Sequence, residues 1–155
     1  MISSLVVYDV HHMNTETLIQ CSSNDGWVII PSSICKFYMF NFREPKPDVD
    51  VINKSIGISY ILNGENEGKY EISSFYIENG ADVNAINGVG FYKNTALHSA
   101  IIVDDLMAVK YLLNNNARVD VYSPSMKMTA LELSKSLNNV NSDEINNLLQ
   151  SAITM

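Results

Sequence analysis

The stretch "NGADVNA", Asn79 to Ala85, has two readings that lead to different folds. Asn-Gly between alternating apolar residues is the strongest short-range signal for a β-hairpin, because both residues tolerate positive φ. Gly directly after an apolar run of helical period is equally the usual residue that ends a helix. The flanks decide. Upstream, Ile72, Phe75, Tyr76 and Ile77 fall on the spacing of one buried helix face. Related segments also recur, with "PDVD" (Pro47 to Asp50) 34 positions before "ADVN" (Ala81 to Asn84) and "ARVD" (Ala117 to Asp120) 36 after it.

Each copy follows its own apolar run, Ile34, Phe37, Tyr38 and Phe40 before the first and Val109, Leu112 and Leu113 before the third. A second series agrees, because "NTALHSA" from Asn94 and "MTALELS" from Met128 lie 34 apart. A fixed period of about 33 residues marks an array of helix pairs. Gly80 and Asn116 are therefore expected to end helices, as residue types suited to left-handed backbone. Pro45 and Pro47 are expected to stop the helix of the first copy.

The segment "NTALHSAIIVDDLMAVKYLLNNNARVDV", Asn94 to Val121, resembles one ankyrin repeat, with "TALHSA" standing for the family's T-P-L-H-x-A. The resemblance implies an inner helix opened by Thr95, close helix packing at Ala100, and an outer helix carrying Val109, Leu112 and Leu113. It also implies that His98 is a structural residue tying neighbouring turns together. Ala96 replaces the usual proline, and Asp104-Asp105 replaces the Gly-His between the two helices. The match is strong over Glu71 to Leu133 and looser over 48–150. Before that it keeps only an outer helix and "PDVD", with "ETLIQC" (Glu16 to Cys21) as a possible inner helix.

The expected fold is all-α, an ankyrin-repeat solenoid of about four stacked helix-turn-helix repeats with projecting β-turn loops, the first repeat degenerate. It occupies 1–155 as one domain: 1–50 a divergent N-terminal repeat, 51–84 and 85–120 repeats, 121–155 a C-terminal cap. A helix pair cannot bury its apolar face alone, so stacked neighbours must cover it and the ends must diverge. "SDEINNLLQSAITM" fits a cap, with Ser142 at the helix start, Asp143 and Glu144 in the positive first turn, and Asn146, Asn147 and Gln150 for water.

The 155 residues, 46% hydrophobic and 17% charged, can bury a core. A formal net charge of −7 argues against nucleic acid and anionic membrane as partners and favours a basic protein. No apolar run reaches membrane-spanning length, and no basic residues precede the short apolar run at the N-terminus, so no signal peptide is expected. Cys21 and Cys35 form no CxxC pair. They are expected as two reduced, buried thiols in a cytoplasmic protein that is a monomer when free.

No catalytic residue, metal site or cofactor is expected. His98 has no nucleophile at a motif spacing, and the adjacent His11 and His12 would point apart on a strand. Asp104 and Asp105 read as an outward turn, and "NGENEG" lacks the lysine and hydroxyl of a phosphate loop. "KFYMFNF", Lys36 to Phe42, reads as core packing more readily than as a binding platform.

What remains is a surface. By position, the ankyrin resemblance implies a partner-binding face of Asn87, Val89, Phe91, Tyr92 and Lys93 from one loop. Tyr122, Ser125, Met126 and Lys127 come from the next, and Ser99, Ile102 and Val103 from the inner helix between them. Such a face binds and blocks one protein partner, as an immunity or inhibitor protein against a toxin or enzyme. The alternative is a host-directed adaptor, and a third reading is an enzyme whose site lies in the divergent first 50 residues.

Overall fold

A computed structural model of the chain describes residues 4–25, 28–88 and 93–153. They form α1 (Ser4–His11), α2 (Thr15–Ser23), α3 (Ser32–Asn41), α4 (Pro45–Val51), a π-helical turn (Ile52–Ile56), α5 (Ser59–Leu62) and α6 (Gly68–Glu78). α7 (Ala96–Ile102) and α8 (Leu106–Asn114) follow. A two-residue ladder, β1 (Tyr122–Ser123) with β2 (Met128–Thr129), then leads into α9 (Ala130–Ser136) and α10 (Ser142–Ile153). The chain is mostly helical, as expected.

The helices pack in sequential pairs, α2 on α3, α5 on α6, α7 on α8 and α9 on α10. α7 touches α5 on one side and α9 on the other, so one buried cluster runs from Val10 to Leu149. Its centre includes Leu18, Ile72, Tyr76, Leu97 and Leu112, all essentially without solvent contact.

"NGADVNA" contains a helix end, with no hairpin turn at Asn79-Gly80. Gly80 has φ of 101°, its N–H donates to the Ile77 carbonyl at 3.0 Å, and the Ala81 N–H donates to the Tyr76 carbonyl at 2.9 Å. This pair of bonds is the Schellman arrangement, which satisfies carbonyls a helix end would leave open. The same pattern recurs at Asn24, Asp104 and Asn116, with φ of 60°, 58° and 63°. Asn and Asp tolerate this left-handed geometry better than other side chains.

The first copy departs from expectation. "PDVD" is inside α4 rather than in an outward connection, and Pro45 occupies the first helical turn, where a missing N–H costs nothing. The proline stops α3 from continuing and starts the next helix. The counterpart of Asn84 is consequently not Asp50 but Asn53. Asn84 accepts the Arg118 N–H at 2.7 Å and donates to the Asn116 carbonyl, while Asn53 accepts the Asp82 N–H at 2.7 Å and donates to the Gly80 carbonyl.

Cys21 and Cys35 are not reduced thiols. They are bonded to each other, joining α2 to α3 across a Cα separation of 5.9 Å. Both are buried, and the 14-residue spacing hid a contact that the helix pairing creates. His11 and His12 belong to the end of α1 and its turn, not to a strand. In α3 the deepest positions are Cys35 and Met39, so Phe37 points away from the core face the periodicity suggested.

Candidate protein-binding face

α7 is positioned by an interlocking set of hydrogen bonds. Thr95 caps its N-terminus, accepting the His98 N–H, and its hydroxyl lies 2.8 Å from His98 Nδ1. On the other side of the ring, Nε2 donates to the Met128 carbonyl at 3.2 Å, which couples α7 to the start of the next helix pair. The ring is completely buried, and that burial pushes its pKa below the usual histidine value while the Met128 bond partly opposes the shift. A neutral imidazole with both nitrogens engaged in this way is a structural tie.

The turn after α7 is also tied down, contrary to the outward reading of Asp104-Asp105. The Asp104 carboxylate accepts the backbone and side-chain N–H groups of Asn141, ahead of α10. Asp105 caps α8 by accepting the Ala108 N–H at 2.9 Å, and it pairs with Lys69 of α6 at 3.1 Å. Burial pushes the Asp105 carboxyl up, but the Ala108 N–H and the Lys69 ammonium outweigh it, leaving the pKa below the ordinary value. The two carboxylates therefore reach to opposite neighbours and do not converge as an acid–base pair must.

The two loops at the N-terminal end of α7 are clasped together. The Lys93 N–H donates to Ser125 Oγ, and the Ser123 hydroxyl bonds the Lys93 carbonyl and the Asn94 side chain. The following turn closes through the Lys127 N–H and the Ser123 carbonyl at 2.9 Å, with Lys127 itself at φ of 55°. This is where ladder pairing forms. In the preceding loop the Asn87 N–H donates to the Asn94 carbonyl at 2.9 Å, and the Gly88 N–H is held by the Ser55 carbonyl at 2.7 Å.

These helices and loops make one unit, and residues 92–124 match the family model of the ankyrin repeat. The chain carries an ankyrin repeat there. No curated protein matches it. An ankyrin repeat implies a protein–protein interaction module, and its T-x-L-H segment here performs the tying role expected of Thr95 and His98.

Of the expected face, Val89, Phe91 and Tyr92 lie outside the described residues. Ile102 and Val103 are 40% and 64% exposed. Tyr122, Lys93 and Lys127 are exposed, whereas Asn87, Ser99, Ser125 and Met126 are half-buried. Ser125 is engaged in holding Lys93, so it shapes the loop. Lys93 and Tyr122 sit at one end of α7 and Ile102 and Val103 at the other, about 10 Å apart for seven residues of helix.

Sequence reasoning missed the exposed Met107, four residues after Val103. It sits on an outer helix, away from the positions the resemblance assigns to binding. Among the described residues no group of three His, Cys, Asp or Glu has the geometry to hold a metal ion, and no helix is long and apolar enough to cross a membrane. In the first 50 residues, Cys21 and Cys35 are bonded to each other, and His11 Nδ1 is 2.7 Å from the Tyr38 hydroxyl.

Proposed function

We propose that the chain is a non-catalytic module of about four ankyrin-like repeats in a single domain, 1–155, that binds and blocks one protein partner. The observation that carries this reading is the exposure of Ile102 and Val103 at one end of a rigidly held inner helix. Apolar side chains on a fixed scaffold are low-entropy anchors of the kind that dominate interface energetics. The clasped loops bearing Lys93, Tyr122, Met126 and Lys127, with Asn87, Ser99 and Ser125 around them, form the rim. Val89, Phe91 and Tyr92, outside the described residues, are assigned to the same face by the ankyrin resemblance alone.

The net charge of −7 supports a basic partner, because complementary charge speeds association and penalises wrong pairings. An immunity or inhibitor role against a toxin or enzyme is the form of blocking this charge serves best. Growth of cells expressing the product of the adjacent gene, with and without this chain, tests it. Rescue by the wild type and loss of rescue by Ile102→Asp with Val103→Asp support the reading. Absence of any rescue removes the blocking role.

A second reading is favoured by the disulfide. Cys21–Cys35 supports an oxidising compartment and takes the ground from the cytoplasmic location expected of two reduced thiols. An exported adaptor that engages a host protein through the same face fits that observation.

A further inference from the structure

The two ends of the chain of helix pairs have different surfaces. At the C-terminal end of the described residues α10 presents Asp143, Glu144, Asn147 and Gln150 to water. At the N-terminal end, α1 and α3 present aromatic rings instead. Tyr8 lies 4.0 Å from His12 between ring centroids, His12 5.0 Å from His11, and His11 6.1 Å from Tyr38. Tyr38 stacks on Phe42 at 6.3 Å, and Phe42 meets Phe37 at 5.6 Å. Six rings thus form an unbroken ladder, in which Tyr8, Phe37 and Phe42 are each more than half exposed.

Exposed rings in such a run do not contribute their full burial energy to the fold, and large exposed apolar patches mark interaction sites. The charges beside the ladder indicate the occupant. Both cations on α3 and at its end are already neutralised, Lys36 by Glu71 at 2.7 Å and Arg43 by Asp48 at 2.8 Å. Asp9 on α1, Glu44 just after α3 and Lys46 in α4 are exposed and carry no ion pair among the described residues, which leaves the balance of open charge there negative. Aromatic faces bordered by open carboxylates attract guanidinium and ammonium groups, since the ring face is negative and the flanking charge adds to it.

We propose that this aromatic face is a second docking surface, for a protein segment that presents arginine side chains beside apolar ones. The proposal rests on the protein-binding reading but uses a different face from the one at α7. Arginine suits it better than lysine, because a planar guanidinium stacks on a ring while remaining weakly hydrated.

The test uses the whole chain and a fluorescein-labelled peptide of alternating arginine and leucine, followed by anisotropy at physiological salt. Phe37→Ala with Phe42→Ala is expected to weaken binding about tenfold. Its thermal melt should stay unchanged, because neither ring is a core residue. Replacing the arginines by glutamate should abolish binding. Ile102→Asp with Val103→Asp should leave it intact, so failure here is separable from failure of the α7 face. No binding by the wild type, or binding that falls with Asp9→Asn and Glu44→Gln but not with loss of the two phenylalanines, overturns the proposal. So does a concentration-dependent dimer in sedimentation that the Phe37 and Phe42 substitutions dissolve, since the occupant is then a second copy.

Discussion

The α2–α3 pair and the helix pairs that follow it solve the same problem by different means. From α6 onward, neighbours are joined by several separate ties, hydrogen bonds and one ion pair: His98 to Met128, Asn84 to Arg118 and Asn116, Asp104 to Asn141, and Lys69 to Asp105. Before that point, alongside ties such as Gln20 to Tyr60 and Lys36 to Glu71, two joints are of a stronger kind. A disulfide links α2 to α3, and a completely buried Asp48 collects the Thr15 hydroxyl at 2.8 Å, a two-pronged Arg43 guanidinium, and the Tyr76 hydroxyl at 3.4 Å. Repetition of a short pattern makes a joint that tolerates change at any one place. Where the pattern is lost, single residues carry the joint.

The largest effect should come from breaking that ionic joint. Asp48→Ala leaves Arg43 partly buried without its counter-ion, and Thr15 and Tyr76 without an acceptor. Removing one partner of a buried pair costs about 3–5 kcal/mol. Urea unfolding should show a loss of this size. A loss below about 1 kcal/mol means that Asp48 is no more important than any one tie of the second half, and the contrast collapses.

Reducing Cys21–Cys35 is the next test. In the chain-entropy account, opening a loop of this length removes about 3 kcal/mol. Hydrogen exchange is the informative readout. Protection should fall in α2 and α3 and persist in α7 and α8, because the two regions are stabilised separately. A uniform fall across both shows instead that the pairs unfold as one unit.

The second half was legible because its signals are local. Thr95, Gly80 and Asn116 each act within a few residues of themselves, and His98, whose ring also reaches Met128 of the next pair, is marked by the short segment that Thr95 opens. The first half was not, for physical reasons that differ by residue. Pro45 both ends and begins helices, so its presence could not say which. Asn53 does the work of Asn84 from a π-helical turn three residues after the matching Asp50, which shifts the register silently. Apolar residues surround α3 on all sides, and periodicity then cannot tell Phe37, which faces water, from Met39, which does not. Of the positions assigned by the resemblance to the binding face, Ile102 and Val103 are exposed at the end of α7, whereas Ser99 is half-buried because it faces its neighbours within the helix pairs.

The pH response separates the halves more gently. His98 titrates below its ordinary value in the folded protein, so the unfolded chain binds its proton first as pH falls. Stability is therefore whole above about pH 6.5 and lost below it, by at most about 1.4 kcal/mol per pH unit for one proton. Comparing wild type with His98→Gln at pH 7.5 and 5.5 isolates the effect, since His11 and His12 are present in both. If the two proteins lose stability in parallel, His98 is not the titrating tie.

The smallest predicted effect returns to the helix ends. Gly80 and Asn116 make the same pair of backbone bonds, yet Gly80 sits at φ of 101°, beyond the left-handed well that Asn116 occupies at 63°. No neighbouring atom lies within 4 Å of a Cβ placed on Gly80, so backbone strain is the only penalty for adding one. Gly80→Ala should cost about 1–2 kcal/mol and Asn116→Ala about half as much, because glycine alone is free at the wider angle while alanine reaches the narrower one with modest strain. Asn116→Gly should be close to neutral. Equal costs for the two alanine substitutions imply that α6 relaxes into the geometry of α8. The difference in residue choice between "NGADV" and "NNARV" then reflects no difference in backbone demand.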